Sequence, residues 1–563
     1  MRGDRVRLWS TLALALTAVV CILTGVGLQT VFRPAATVHE SLPLSGVSGT
    51  HVAVIGAKPL TAHVGDPVVT VEGTGEVYVA AGPARDVAAW QDTARVTEVQ
   101  WRSQAADGAH LVARVTGSSQ APSPIGSDLW VATRDAHRSA ALRVDQPERS
   151  AVIVTAEDGR ALPRALDLSW SGQPGSPWAL PLILAGGAAL IGAIVLAWSM
   201  YASGRPGPRR RSHRRANGAH RAGRRRGLFL VAAPLTAGLL LATSGCTGSA
   251  PASPSASGSG SAASVEATGN MVVSEPHFRS ILGQIAGAAK AADAAGNASL
   301  LAGRFAGPAL AQRTTNYEIR AKYAQQPLLP TFPTNAPEVF LPQSSHAFPR
   351  TVFVIFSTGD NGNPQAVLLQ QADARSNYQV ISDTMVVPGA RFPALPPASE
   401  GTTVIDNSTS SLLVPPGQLV ARYAAALGAP DSPDANTFSL SSDIFATMTR
   451  EDEDKARQQL GGDGVLEISR TQADAAPVAI SAQSSGAVVA VDMNETWTWR
   501  PAQQNGTISL SDDLTKAVLG KDSTTSGVQE VFSTMLLFHV PASGSGHATL
   551  LGYQQAPVSI KEL

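Results

Sequence analysis

The stretch "RRRGLFLVAAPLTAGLLLATSGCTGSAPASPSASGSGS", residues 224–261, decides how the rest of the chain is divided. Arg224, Arg225 and Arg226 precede an apolar run, Leu228 to Ala242. Small residues follow, then Cys246, then a tether of Ser, Ala, Gly and Pro. A positive end, an apolar run and small residues before a cysteine are the parts of an export signal. Such a signal normally opens a chain, yet here it lies near the middle of 563 residues.

Working outward, two more apolar spans come into view: "WSTLALALTAVVCILTGVGLQTVF" (9–32) and "WALPLILAGGAALIGAIVLAWSMY" (178–201). Each is long enough to cross a hydrocarbon core of roughly 30 Å. Trp178 at one end of the second span, and Trp198 and Tyr201 at the other, suit the two membrane interfaces. The third span, 227–245, is shorter and contains Pro234. Arginine placement orients all three, because basic residues stay on the cytoplasmic side. The short N-terminus (1–8) and the loop 202–226, with Arg209, Arg210, Arg211, Arg224, Arg225 and Arg226 as topology determinants, fall inside; 33–177 and everything after the third span fall outside. Between two spans, this arginine block is a topology signal touching anionic lipid and not a nucleic-acid site.

The phrase "TSGC" at 243–246 resembles the lipobox of bacterial lipoproteins, with Thr243 where Leu is usual. That resemblance implies that Cys246 is lipidated and that the chain is cut between Gly245 and Cys246. The alternative is an uncut span, 227–245, with an ordinary cysteine at its outer end. Residues 246–270 read as a disordered tether, too small and polar to bury a core.

Formal net charge is zero and 15% of residues are charged, so nothing pulls the whole chain toward nucleic acid. The two cysteines, Cys21 and Cys246, sit in or beside apolar spans. Neither folded region holds one, which excludes an intradomain disulfide and a cysteine-based zinc site there. The expected architecture is membrane-anchored and multidomain. Residues 33–177 carry short, β-branched runs such as "HVAVIG", "PVVTVEG", "EVYVAAG" and "SAVIVTAEDG", punctuated by Gly, Pro and Asp, with one short helix, "ARDVAAWQ". That is a β-rich outer domain, a sandwich or barrel.

Beyond the tether the pattern is α+β, in two helix-then-strand series, 271–400 and 401–563. Phe278, Ile281, Leu282, Ile285 and Ala289 keep helical spacing. "PGQLVARYAAALG" and "TREDEDKARQQLG" are the helices of the second series, the latter with acidic residues in its first turn where the dipole favours them. "TVFVIFSTGDNGNPQAVLLQQA" (351–372) lies over "TMLLFHVPASGSGHATLLGYQQ" (534–555) without a gap. The two series read either as duplicated helix-plus-antiparallel-sheet modules or as unrelated hairpins.

The phrase "ASLLAGRFAGPALAQRTTNYEI" (298–319), a helix, a break and another helix, resembles the cone-shaped α+β fold of nuclear transport factor two and its relatives. That resemblance implies a curved antiparallel sheet, in a fold that serves enzymes, ligand binders and extracytoplasmic parts of secretion machines alike. The chain as a whole is similar to uncharacterised membrane-anchored envelope proteins of actinobacteria with an internal lipoprotein-like signal.

Motifs for chemistry are sparse. "GTGEVY" (73–78) lacks the third glycine of a dinucleotide fingerprint and reads as a hairpin turn. No Walker loop, H-E-x-x-H or nucleophile elbow is present. His539 and His547 flank the last hairpin turn without a nearby carboxylate, a poor metal site. "EDED" (451–454) reads as a helix start. Trp497 and Trp499 in "WTW" share one strand face, which lines either a pocket or the core. No catalytic residue, metal or cofactor is assigned. The function expected is a binding or scaffolding protein of the bacterial cell envelope, bulk outside the cell membrane, with membrane lipid and envelope proteins or cell-wall components as partners. An export-assembly component and an enzyme with a pocket in the C-terminal region are the alternatives.

Overall fold

The computed structural model describes residues 2–29, 37–103, 110–171, 178–203, 272–357, 363–429, 431–483 and 486–563. The third apolar span, the arginine block, Cys246 and the tether lie outside the described residues. The described chain divides into two units, one holding the apolar helices and one holding everything else.

In the first unit, helices α1 (Arg2–Gln29) and α3 (Ala179–Ser203) are each long and apolar enough over 21 residues to cross a membrane. They pair antiparallel through glycines. A Cβ on Gly25 would stand 2.6 Å from Ile183 Cγ1, and one on Gly186 2.6 Å from Ile22 Cγ1. Small residues at these points let the two backbones approach closely.

The second unit begins with a β-rich region, where eight strands longer than two residues are described. These are β1 (Thr37–Pro43), β2 (Val52–Ile55), β3 (Asp66–Pro83), β4 (Ala94–Trp101), β5 (Leu111–Thr116), β6 (Ala132–Arg143), β7 (Ser150–Ala156) and β8 (Ala165–Ser171). The order β1-β8-β3-β7-β2-β4-β5, with β6 on β3, curls the sheet around one core that includes Val69, Val79, Val154 and Trp170. Helix α2 (Ala84–Gln91) covers a second core with Trp90 and Trp130. The hairpin turn expected at 73–78 is absent. The stretch lies inside the 18-residue strand β3, and register slips between Glu72 and Glu76. Gly73 and Gly75 weaken the ladder locally and let the strand bend without ending it. One strand thus pairs with three neighbours along its length.

In the C-terminal region, α4 (Glu275–Ala295) opens with Pro276 in its first turn and closes on Gly296 at φ 60°. Its buried Phe278, Ile281, Ile285 and Ala289 follow the expected stripe. Helix α5 (Gly307–Lys322) packs beside it. Strands β9 (Val339–Pro342), β10 (Arg350–Phe356), β11 (Gln365–Gln371) and β12 (Gln379–Val386) follow, and then the short β13 (Val404–Ile405). Helices α6 (Leu419–Gly428) and α7 (Ile444–Leu460) precede β14 (Gly464–Gln472), β15 (Val478–Ser481) and β16 (Ala487–Pro501). Helix α8 (Asp513–Leu519), β17 (Val528–Val540) and β18 (Thr549–Glu562) complete the chain.

Both series contribute strands to a single ten-stranded sheet, ordered β9-β10-β11-β12-β18-β17-β16-β15-β13 with β14 on β16. Its outer face is covered by α4 and α5 on one half and by α6 and α7 on the other. The inner face turns in on itself. Leu341 and Phe353 from one end of the order share a core with Ile480 and Val488 from the other. Residues 402–405 join the two edges: Thr402 N donates to Pro342 O and Ser344 N to Thr402 O, both at 2.8 Å, while β13 pairs with β15. The sheet is therefore a rolled barrel clad by helices.

The gapless overlay of the two hairpins is off by one residue. Phe353 faces the barrel interior, but Leu536, its counterpart, faces the helices. A slip of one exchanges the two faces of a strand. The acidic run 451–454 also differs from expectation. Helix α7 starts earlier, capped by Asp443, whose side chain accepts from Ala446 N at 2.9 Å, so 451–454 lies mid-helix.

The β-rich region packs directly on the C-terminal region. Asp86 and Arg350, 3% and 2% exposed, form an ion pair at 2.6 Å. Asp128 pairs with Arg304 at 2.6 Å and accepts from Tyr378 N at 2.8 Å. Arg375 donates to the carbonyls of Trp90 and Gln91. Phe348 and Ala374 enter the core built around Trp90 and Trp130.

Candidate functional site

Two concavities mark the C-terminal region. The first is a groove of about 590 Å³ between α7, α8 and the ends of β16 and β17. Strand alternation sends Glu495, Trp497 and Trp499 of β16 to one face. Register sets Glu530 opposite Trp497 and Phe532 opposite Glu495. The indole rings stand 5.9 Å apart at 36°. Trp497 is 9% exposed and packs on Leu466 and Ala456, so it is partly core, while Trp499 is half-buried at the groove wall. Thus the two tryptophans singled out in the sequence do meet in a cavity.

Sequence reasoning missed the charges at and behind the groove wall. Arg470 of β14, 7% exposed at its side chain, lies between Glu453 of α7 and Glu495. Burial pulls its guanidinium down, but the two carboxylates outweigh that and hold it above its ordinary value. Trp497 Nε1 donates to Glu495 at 2.9 Å. Glu530 accepts from Thr515 Oγ1 at 2.6 Å, and burial pushes its carboxyl up. Trp499 Nε1 is near Glu530 yet makes no hydrogen bond of ordinary geometry. The groove therefore joins two aromatic rings to one ion-paired carboxylate and one carboxyl biased toward its neutral form. Only the alternation in "NETWTWR" hinted at Glu495; Arg470, Glu453 and Glu530 come from distant positions and no local motif could have linked them.

The second concavity is the open end of the barrel, about 720 Å³. Interior-facing Thr351, Leu368, Ala490 and Asp492 line it, with Asp406 and Asn407 at the rim beside β13. Asp492 is 6% exposed; its Oδ1 accepts from Ser533 Oγ at 2.9 Å. With no cation beside it, burial raises its carboxyl to about 6.

The histidine pair is not brought together as a site. His547 Nδ1 is bonded to Asn436 O at 2.8 Å, and His539 is held low by burial on β17. Among the described residues no three His, Cys, Asp or Glu side chains gather to hold a metal.

Fold and site define a class: a helix-clad rolled sheet with an aromatic groove and an open barrel end, in a chain that also holds two apolar helices. The chain belongs to the family described as Domain of unknown function (DUF8094), which matches residues 271–561. That match covers the α4–α5 pair and the whole rolled sheet. No curated protein and no solved structure matches the chain.

Proposed function

We propose that the chain is a membrane-tethered, extracytoplasmic binding protein of the bacterial cell envelope that takes a saccharide-type cell-wall component in the tryptophan groove. The observation that carries this reading is the Trp497–Trp499 pair beside hydrogen-bond acceptors. A sugar ring offers apolar C–H faces that lie against indole rings and a rim of hydroxyl donors that Glu495, Glu530 and Gln555 would accept. The α1–α3 pair and the arginine block support tethering with residues 33–177 and 247–563 outside. A lipidated Cys246 would add a second anchor.

Co-sedimentation of the detergent-purified full chain with cell-wall polysaccharide tests the groove. Trp499→Ala is expected to lower retention at least tenfold with thermal stability changed little, since Trp499 is half-buried. Equal retention would remove the groove from the reading. Orientation is tested by single-cysteine labelling of intact cells in a Cys21- and Cys246-free background. Position 300 should label from outside and position 218 should not; the reverse pattern overturns the topology.

One observation favours an enzyme as second reading. Glu530 is pushed toward its neutral form while Glu495 is ion-paired, the division of roles between an acid and a carboxylate that glycoside cleavage uses. If the wild type releases reducing ends from the polysaccharide, and Glu530→Gln stops release without loosening binding, this reading replaces the first.

A further inference from the structure

We propose that the open end of the barrel is a second, independent binding site, for an apolar molecule that carries a protonated amine. The walls are apolar, with Phe348, Leu368, Ile381, Val404, Ala490 and Met535 on different elements of the roll. The floor is closed by the interior core of Phe353, Val488 and Leu537. The cavity is thus a blind, mostly apolar well at a barrel mouth, a favoured place for small ligands.

Its polar lining is made of neutral amides and hydroxyls, Gln343, Thr351, Gln370, Ser382 and Asn407, and two carboxyls, Asp406 and Asp492. Among the described residues Asp492 Oδ2 meets no hydrogen-bond partner, although the residue is more than nine-tenths buried. Thr351 Oγ1 and Asn407 Oδ1 are buried and unpartnered as well. A buried acceptor left without a donor costs about 1–3 kcal/mol, which a ligand donor would recover. Among the described residues no Lys, Arg or His lines the well, and the other titratable group there is Asp406 at the rim. Ser408 holds the Asp406 carboxyl below its ordinary value, so it stays negative. The N-terminus of α5, Gly307 and Pro308, also borders the well. A helix terminus carries roughly half a positive charge, less than two carboxylates oppose to it. The balance favours a cation on the ligand. β15 and β17 present to the well only the uncharged Val478 and Met535, and Gln312 of α5, also uncharged, donates to Ser533 O and to the Ser533 hydroxyl from which Asp492 accepts. Asp492 is therefore the buried titrating partner, and affinity for an amine rises as pH climbs through about 6.

The test is calorimetric titration of the full chain in mild detergent with 4-phenylbutylamine, 4-phenylbutanol and 4-phenylbutyrate, which share one apolar body. At pH 7.5 the amine is expected to bind at least tenfold more tightly than the carboxylate, and to lose about tenfold in affinity by pH 5. Asp492→Asn should bring amine and alcohol to equal affinity. Ala490→Trp should abolish binding of all three, and Trp499→Ala should leave binding unchanged, which separates this well from the groove. Thr351→Val serves where Ala490→Trp fails to fold, and should weaken the amine and the alcohol alike. Equal binding of amine and carboxylate, an amine preference that survives Asp492→Asn, or no binding of the series overturns the proposal.

Discussion

A full-length chain cut at a protease site inserted between residues 204 and 271 is expected to stay together as two non-covalently joined pieces, and Arg350→Ala is expected to separate them. The joint is the contact between the β-rich region and the C-terminal region. Arg350 and Asp86 are both buried there, and Arg304 and Tyr378 N both donate to Oδ2 of Asp128 beside them. Removing Arg350 alone leaves Asp86 buried with only Arg85 Nε, 3.8 Å away, as a distant partner. Breaking a buried pair in this way costs about 3–5 kcal/mol. Association should weaken on the order of a hundredfold to several thousandfold, read by co-elution after cleavage. The double change Asp86→Leu/Arg350→Met, which leaves no orphan charge, should restore most of it. Pieces that part in the wild type would show that the contact is too weak to matter.

A second large effect is expected at the barrel mouth, with a gain in stability. Asp492 is raised from the ordinary 3.8 to about 6 in the folded chain. Between those values the folded state holds a proton that the unfolded state has released. The carboxyl therefore subtracts stability as pH rises through that window, and above about 6 the whole cost, about 3 kcal/mol, is present. Asp492→Asn should raise stability at pH 7.5 by up to about that amount and change it little at pH 4. Denaturation at the two values checks this. A gain of the same size at both would mean that the effect is packing and not charge. A binding group that lowers the stability of its own fold is an ordinary trade.

Much of the element list was legible in the sequence, because α4 keeps clean helical spacing up to Gly296, while β10 and β16 are β-branched apolar runs bounded by Pro349 before the first and Pro501 at the end of the second. The path of the sheet was not. The near-continuous apolar runs "TVFVIF" and "AVVAVD" show that each strand has two buried faces but not which partner covers each face, so two series looked like two bodies. Gly73 and Gly75 misled for a related reason, since glycine marks a turn and a bulge with the same letters. Asp443 was hidden as a cap because the more conspicuous acids at 451–454 drew the helix start toward themselves. Of the groove, "WTW" was visible since both rings come from one strand. The charges at and behind the groove wall come from α7, β14 and β17, and Asp492 gained its character only when the roll closed around it.

The strip at 402–405 has one more consequence. A sheet of this width normally offers two unpaired strand edges, each a template on which another chain can add. Here the backbone groups of Thr402 and Thr403 are spent on Pro342, Ser344 and Ser481, so the rims that would seed edge-to-edge polymerisation are occupied from within. Unclasping this strip, for instance by proline at position 402, would expose both rims at once. Its first visible result would be clumping of the protein ahead of any loss of its helices.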